Sequence, residues 1–191
     1  NILSKLISLK LFMEEITLVI PAKNEPNALP MVLSEIKKMQ LPVKILIIIG
    51  KDDKDTLKAT DGYECNVLIQ SKKGYGNAIV EGINHVKTKY SCIFYADGST
   101  DPKYIYQMHQ KLISKKLDLI FGSRYEKNAY SHDDDILTRI GNFGFTLLGN
   151  IFMRLKISDL LFTYIFAKTE SLKNMKLDSD DYCLCVEIPF K

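Results

Sequence analysis

Apolar segments of two kinds alternate along the first two thirds of the chain. Short runs rich in β-branched residues predict strands at 16–20, 43–49, 66–70, 91–95 and 117–121. Between them, apolar residues recur every three or four positions, which predicts helices over 27–40, 53–60, 76–89 and 102–116. This alternation predicts a single α/β domain in which helices flank a mainly parallel central sheet.

The order of elements changes after about residue 123. A polar loop that contains residues 131–135 leads into a predicted long helix over 135–155, and a strand near 162–167 and a short helix near 168–175 follow. The last third of the chain therefore departs from simple strand–helix alternation.

Two apolar stretches raise the question of a membrane. Residues 1–12 combine Lys5 and Lys10 with an apolar stripe, but a bilayer span needs about 20 apolar residues. We therefore expect an N-terminal amphipathic extension, either at a membrane interface or packed on the domain of residues 13–191. Charged residues interrupt the stretch from Phe143 to Ala167, and each central charge in a span costs about 2.5–3.5 kcal/mol, so no span is expected there.

The amino-acid composition and the charge exclude further classes of protein. The 191 residues are 46% hydrophobic and 26% charged, which excludes a disordered or collagen-like chain. The net charge of +3 is too small to favour nucleic acid as a partner, and Lys5 and Lys10 supply two of these charges. The four cysteines lack the spacing of a zinc or redox motif, which favours a reduced, cytoplasmic protein.

Polar residues and glycines follow the ends of the predicted strands. In open α/β sheets, ligands bind at the carboxyl ends of the strands. The loops that this rule singles out are 21–26, 50–53, 71–76, 95–101 and 122–125. Their composition predicts a nucleotide-type site at this edge of the sheet.

Five sequence blocks in these regions resemble the family 2 glycosyltransferases. They read ITLVIPAKNE (16–25), KKGYGNAIVEGI (72–83), FYADGSTDP (94–102), GSRY (122–125) and SDLLFTYIFA (158–167). The pattern is most similar to the polyprenyl-phosphate (dolichol-phosphate) mannosyl- or glucosyltransferase type, and it covers about residues 16–190. The resemblance implies a GT-A fold, which is a Rossmann-like single domain. It also implies a UDP- or GDP-sugar donor, Mg²⁺ or Mn²⁺, and inversion at the sugar carbon.

Asp97 lies where the family carries its Asp-x-Asp motif. The resemblance assigns it to catalysis, to the metal ion and, with Ala96, to the nucleotide-sugar; a carboxylate at a strand end suits a hard divalent cation. The alternative is an ordinary turn aspartate. Tyr95 replaces the first acid of the motif, and Asp101 either compensates for it or caps the following helix.

The first two loops are expected to hold the nucleotide. By resemblance, the first loop lines it through Pro21, Ala22, Asn24 and Glu25; the alternative is a simple turn before a helix. The acids that end the second strand in the family are replaced here by Ile49-Gly50. Asp52 is then the candidate for the ribose or base, although Asp52 and Asp53 also suit a helix N-terminus.

Phosphate is expected in two further regions. Gly74 and Gly76 precede a helix, where backbone N–H groups suit a phosphate, and Lys73 adds positive charge. Arg124 and Arg139 fall in blocks where lipid-phosphate-using relatives hold donor or acceptor phosphates, and Arg offers phosphate a bidentate grip. A structural salt bridge is the alternative for Arg124.

Asp159 matches an acid of the family's last block and is the candidate catalytic base. A lipid-phosphate acceptor is already anionic and would need positioning instead of a base. The block continues Phe162-Thr163-Tyr164-Ile165, without the Gly and Arg usual in relatives.

The sequence therefore predicts a glycosyltransferase with a nucleotide-sugar donor and a polyprenyl-phosphate acceptor, in peripheral contact with the cytoplasmic membrane face. A soluble acceptor is one alternative. The other is a catalytically silent nucleotide-sugar-binding homologue, which the replacements at Tyr95, Ile49-Gly50 and Ile165 favour.

Overall fold

The computed structural model describes residues 16–126 and 136–191, so the predicted extension at 1–12 and the polar loop at 131–135 lie outside the described residues. Within the described part, the strands are β1 (Ile16–Ala22), β2 (Lys44–Ile49), β3 (Asn66–Ile69), β4 (Tyr90–Ile93), β5 (Leu119–Phe121) and β6 (Ile165–Lys168). The helices are α1 (Ala28–Lys38), α2 (Lys54–Lys58), α3 (Tyr75–His85), α4 (Lys103–Ser114), α5 (Ile136–Phe152), α6 (Thr169–Asn174) and α7 (Leu184–Phe190).

The strands form one sheet in the order β3-β2-β1-β4-β6-β5. β1 pairs in parallel with both β2 and β4, and β2 pairs in parallel with β3. β6 runs antiparallel to β4 and β5, and it follows α5, in the part of the chain where the alternation changes. The prediction of a mainly parallel sheet is confirmed.

Alternate residues of the central strands bury against opposite helix layers. Leu18 and Ile20 of β1 belong to the cluster that contains the apolar faces of α1 and α4. Val19 lies between them in sequence and packs with Ile48 and with Ala78 of α3. The remaining cluster joins α3, α6 and α7 to β4 and β6. Helices therefore cover both faces of the sheet, as its continuous apolar strands require.

β1 is two residues longer than the sequence pattern predicts. The two added residues are Pro21, which pairs with Ile48, and Ala22, which pairs with Ile49. On the other side, the pairing of β1 with β4 stops at Val19 and Ile93. A residue without an N–H is tolerated at Pro21 because β1 has a strand neighbour on only one side there.

The predicted long helix over 135–155 is α5, and the predicted helix over 168–175 is α6. The sequence pattern missed α7, a short helix with Pro189 inside it. Among the described residues, none of the helices combines the length and the apolar character that a bilayer crossing requires.

Candidate functional site

The loop after β1 is fixed by the start of α2. The N–H of Asn24 donates to Oδ2 of Asp53 at 2.6 Å, and the N–H of Glu25 donates to Oγ1 of Thr56 at 2.9 Å. Asn24 has a φ of +58°, a left-handed conformation that Asn tolerates better than most residues. Ala22 is buried and Pro21 half-buried at the root of this loop. The predicted nucleotide loop is thus held in one conformation by the neighbouring loop.

Asp53 caps α2, which was the alternative weighed for Asp52 and Asp53. Its carboxylate also accepts the N–H of Thr56, at 3.2 Å. Burial raises the pKa of Asp53, but the hydrogen bonds from Asn24 and Thr56 outweigh it and hold the pKa below its usual value. Asp52 is exposed beside it, and its contact with a ribose or base remains a prediction.

Three carboxylates converge from the loops after β1, β2 and β4. Partial burial raises the pKa of Glu25, and the negative charges of Asp97 and Asp53 raise it further. Glu25 therefore lies close enough to Asp97 and to Asp53 to interact electrostatically with each, although the three residues lie far apart in the sequence. This acidic group marks the carboxyl edge of the sheet, where the sequence predicted the site.

Asp97 presents its carboxylate at the surface just beyond β4. Its Oδ1 accepts the N–H of Ser99 at 2.9 Å, and Gly98 between them has a φ of +86°. Ala96, next to it, is buried. Oδ1 of Asp101 accepts the N–H of Lys103 at 2.9 Å, at the start of α4. Asp101 therefore caps this helix, which is the alternative to its being a second metal ligand.

Tyr95 turns away from this surface and into the protein. Its hydroxyl accepts the N–H of Thr163 at 3.0 Å and lies 2.6 Å from Oγ1 of the same residue. The hydroxyl of Tyr75 lies 2.6 Å from that same Oγ1, and the Tyr95 ring stacks on Phe162 with centroids 5.6 Å apart. Tyr95 therefore ties the Asp97 loop to the segment before β6, a role that the sequence did not reveal.

The donor set at the acidic group suits a divalent metal ion that shares its coordination with phosphates. Among residues 16–126 and 136–191, no three His, Cys, Asp or Glu side chains are grouped so as to hold a metal ion by themselves. Mg²⁺ is commonly held by one or two carboxylates together with substrate phosphates, and does not need an all-protein cage. The exposed Asp97 carboxylate, with Glu25 nearby, fits that mode.

Gly74 and Gly76 make room for the chain's own C-terminal loop, residues 175–183. A Cβ on Gly76 would lie 2.3 Å from the carbonyl oxygen of Ser179, and one on Gly74 would overlap that of Asp180. The N–H of Asn77 donates to this Asp180 carbonyl at 3.1 Å. The phosphate contact predicted at the start of α3 remains a prediction. The Asp180 carbonyl takes the N–H of Asn77 there, and Lys73 beside it is exposed.

Glu81 of α3 is a site-shaping residue that the sequence reasoning missed. Its carboxylate accepts the N–H of Ser71 at 2.9 Å, the hydroxyl of Ser71 at 2.6 Å and Nδ2 of Asn77 at 2.6 Å. Burial raises the pKa of Glu81, but these hydrogen bonds lower it overall. The one signal in the sequence was the spacing of Asn77 and Glu81, four residues apart on one helix face.

Asp159 and Arg124 pair with each other. The side chain of Asp159 is fully buried, and that of Arg124 is 20% exposed. Nε and the backbone N–H of Arg124 donate to Oδ2 at 2.8 and 3.1 Å, and Nη2 donates to Oδ1 at 3.0 Å. The guanidinium also lies over the ring of Phe162, 5.0 Å from its centroid. The salt bridge weighed as the alternative for Arg124 is present in the structure.

Arg139 lies on the first turns of α5, beside the Arg124–Asp159 pair in the fold. Its exposed side chain lines an open depression of about 320 Å³ together with Tyr125, Ile140, Phe143 and Ser158. The hydroxyl of Ser158 donates to that of Ser123 at 2.9 Å, which connects the depression to the loop after β5. The depression thus combines a cation and hydroxyl groups with two apolar side chains.

The fold resembles solved sugar-transferring enzymes. Glucosyl-3-phosphoglycerate synthase of Mycobacterium tuberculosis, crystallised with Mn²⁺, UDP-glucose and phosphoglyceric acid, superposes with a TM-score of 0.73 at 15% identity, over 93% of this chain and 66% of that one. Mannosyl-3-phosphoglycerate synthase of Rubrobacter xylanophilus gives a TM-score of 0.67 at 14% identity, over 85% of this chain and 57% of that one. These likenesses confirm the predicted GT-A fold.

Sequence relatives also include a glycosyltransferase. An uncharacterized glycosyltransferase of Mycobacterium tuberculosis is 28% identical over 111 residues, which are 58% of this chain and 49% of the relative. An uncharacterized protein of Methanocaldococcus jannaschii is 28% identical over 165 residues, 81% of this chain and 67% of that protein. The chain thus spans about half the length of its mycobacterial relatives. The model of the family described as Glycosyl transferase family 2 matches residues 17–175. Because this match takes in most of the chain, the chain belongs to glycosyl transferase family 2.

Proposed function

We propose that this protein transfers a sugar from a nucleotide-diphosphate donor, a UDP- or GDP-sugar, to a phosphate-bearing acceptor. The observation that carries the proposal is the convergence of Glu25, Asp53 and Asp97 from three separate loops at the carboxyl edge of the sheet. In an open α/β sheet, this edge is where ligands bind.

Each residue then has a defined task toward the donor. Asp97 holds Mg²⁺ or Mn²⁺, which supplies charge neutralisation for the leaving diphosphate. The nucleotide lies against Pro21, Ala22, Asn24 and Glu25, the loop that Asp53 and Thr56 hold in place. The solved Mycobacterium tuberculosis synthase was crystallised with Mn²⁺ and UDP-glucose, which supports the choice of donor and metal.

The state of Asp159 supports an acceptor that needs no general base. Its side chain is fully buried, and Arg124 donates three hydrogen bonds to it. A general base must lie within hydrogen-bond reach of the proton that it removes. A phosphate acceptor is already anionic, so Asp159 would act by holding Arg124, whose guanidinium helps to position the acceptor.

Within that class we favour a polyprenyl phosphate. The depression beside the site offers Arg139, Tyr125 and Ser158 to a phosphate, and Ile140 and Phe143 to an apolar chain. A soluble phosphorylated acid is the alternative, because the two solved neighbours are phosphoglycerate-using synthases by name. The silent-homologue alternative draws on Tyr95, whose hydroxyl binds Thr163.

The test incubates the protein with UDP- and GDP-sugars and Mn²⁺, and offers either a short polyprenyl phosphate in detergent or 3-phosphoglycerate. We expect transfer to the polyprenyl phosphate, and a loss of roughly a hundredfold or more in the Asp97→Asn variant. Asp61→Asn is the matched control, since Asp61 is an exposed acid on the loop after α2. Transfer only to 3-phosphoglycerate would replace the acceptor. Donor binding without turnover, equal in Asp97→Asn, would instead identify a silent homologue.

A further inference from the structure

The distribution of polar and apolar residues on helix α5 is the opposite of that on an ordinary surface helix, because polar residues occupy the face that packs on the domain. Asn142, Thr146 and Asn150 follow one another at a spacing of four along this face. Nδ2 of Asn142 donates to the Tyr125 hydroxyl at 2.8 Å, and Oγ1 of Thr146 accepts the N–H of Leu160 at 3.1 Å. Asn150 accepts the N–H of Ile157 and donates to its carbonyl, at 3.1 and 2.9 Å. Polar contacts therefore attach α5 to the domain.

The outer face of α5 is apolar. Its exposed large side chains include Phe143 at 68%, Ile151 at 61% and Phe152 at 80% of full exposure. Among the side chains of α5 that the structure describes, the exposed large apolar ones are Leu137, Ile140, Phe143, Phe145, Leu147, Leu148, Ile151 and Phe152. Single exposed apolar residues are ordinary on a protein surface, but a contiguous patch of this kind marks an interaction site.

The charges around this face indicate which partner it fits. Within residues 136–158 the sequence has no Asp or Glu, while Arg139, Arg154 and Lys156 are all positive. The acids next to this segment in the sequence are Asp133, Asp134 and Asp135 before it and Asp159 after it, and Asp159 is buried against Arg124. Arg139 lies within α5, and the exposed Arg154 and Lys156 follow its last turn. Cations within and directly after a helix with an apolar outer face match a bilayer whose headgroups are anionic.

We propose that α5 is a membrane-docking helix that lies in the interface of an anionic phospholipid bilayer. Its outer side chains enter the acyl boundary, and Arg139, Arg154 and Lys156 contact the headgroups. The depression that Arg139, Ile140 and Phe143 line then opens toward the bilayer. The inference does not rest on the transferase activity, since binding to vesicles is measured without a donor.

A second copy of this chain is the competing occupant. Gly141 and Gly144 lie on α5 in open space, since a Cβ added to either would meet no atom within 4 Å, and this leaves room for another helix to approach closely. Sedimentation of the free protein separates the two. A monomer that binds vesicles supports the inference, and a dimer that Leu148→Gln/Ile151→Gln dissociates overturns it.

The vesicle experiment uses the full chain with vesicles of phosphatidylglycerol and phosphatidylcholine, and with phosphatidylcholine alone. We expect co-flotation with the anionic vesicles, weakened at least about tenfold by Leu148→Gln/Ile151→Gln. Arg154→Gln should weaken binding by about fivefold at low salt, the factor that corresponds to about 1 kcal/mol per cation. Met31→Gln/Leu57→Gln is the matched control, because both of these apolar residues are exposed on other helices.

A deletion of residues 1–12 separates α5 from the amphipathic N-terminal segment. Retained binding of the deletion variant supports docking through α5. If the deletion abolishes flotation while Leu148→Gln/Ile151→Gln binds like the wild type, or if no variant distinguishes the two vesicle types, docking through α5 is excluded. All five replaced side chains are exposed, so thermal unfolding of the variants should match that of the wild type.

Discussion

Tyr95 shows how one replaced residue changes the task of a position in the site. The family pattern that the chain resembles has a carboxylate at this position. In this chain the phenol reaches inward, and its hydroxyl accepts the N–H of the buried Thr163. Burial raises the pKa of Tyr95, so the hydroxyl stays protonated and can both donate and accept. Asp97 is then the one carboxylate that the motif itself supplies.

Removing the Tyr95 hydroxyl should destabilise the protein. In Tyr95→Phe the Thr163 N–H loses its acceptor, and a buried unsatisfied donor costs about 1–3 kcal/mol. Urea unfolding measures the loss. Tyr106→Phe is the matched control, since Tyr106 is exposed on α4 and should change the free energy of unfolding by less than about 0.5 kcal/mol. Equal stability of the two variants would contradict the structural role of the Tyr95 hydroxyl.

Sequence reasoning found the residues whose signal is local and missed those whose partners are distant. Asp97 follows a strand and precedes a glycine, and both features are visible in a single block. The partner of Tyr95 lies 68 residues away, so its identity depends on β6 lying beside β4. For the same reason the sequence offered two roles for Arg124, and the structure was needed to find Asp159 against it.

At the scale of elements, the helix N-terminus of α3 and the C-terminal loop form one unit. The glycines of the loop before α3 suggested a phosphate site, because such a loop exposes backbone N–H groups. The same lack of a Cβ also admits a neighbouring backbone, and residues 179–181 take that space. Strands and most helices were predicted correctly because their periodicity is local, whereas this contact joins segments about 100 residues apart.

A methyl group at Gly76 should therefore detach the C-terminal loop. The Cβ of Gly76→Ala would meet backbone oxygens of Ser179 and Asp181 at 2.3 and 2.6 Å. We therefore expect the free energy of unfolding to fall by about 1–3 kcal/mol. Limited proteolysis should then cut within residues 175–183 faster than in the wild type. Gly141→Ala is the control, with an effect of the opposite sign. Because open space surrounds Gly141 on α5, this variant should have a free energy of unfolding about 0.5–1 kcal/mol higher than that of the wild type. Unchanged proteolysis of Gly76→Ala would mean that the contact is dispensable.

Over the whole molecule, carboxylates fasten the loops around the site to the framework. Asp53 holds the loop after β1, Glu81 holds the loop after β3, and Glu187 of α7 holds the C-terminal loop through the N–H groups of Asp178 and Ser179. In each case burial raises the pKa, yet the hydrogen bonds that the carboxylate accepts lower it overall. Acid should therefore loosen the rim of the site before the apolar sheet.

The predicted effect of acid on these loops can be measured at Glu187. The N–H groups of Asp178 and Ser179 and the ammonium of Lys191 hold its pKa at about 2, although burial alone would raise it. A carboxyl group whose pKa is lower in the folded state stabilises the protein above its unfolded pKa, which is near 4.5, and this contribution disappears as pH falls through about 2. Glu187→Gln should lower the free energy of unfolding by about 1–3 kcal/mol at neutral pH, because the variant lacks a charged acceptor of several hydrogen bonds.

The difference between wild type and Glu187→Gln should therefore shrink on acidification, and it should be nearly gone by about pH 2. Urea unfolding at a series of pH values measures it, and taking the difference removes the titration of all other groups. Glu64→Gln, at an exposed position, is the matched control and should follow the wild type throughout. A difference that stays constant with pH would show that Glu187 acts through its shape. A difference that grows in acid would show that the carboxylate opposes folding and does not anchor the loop.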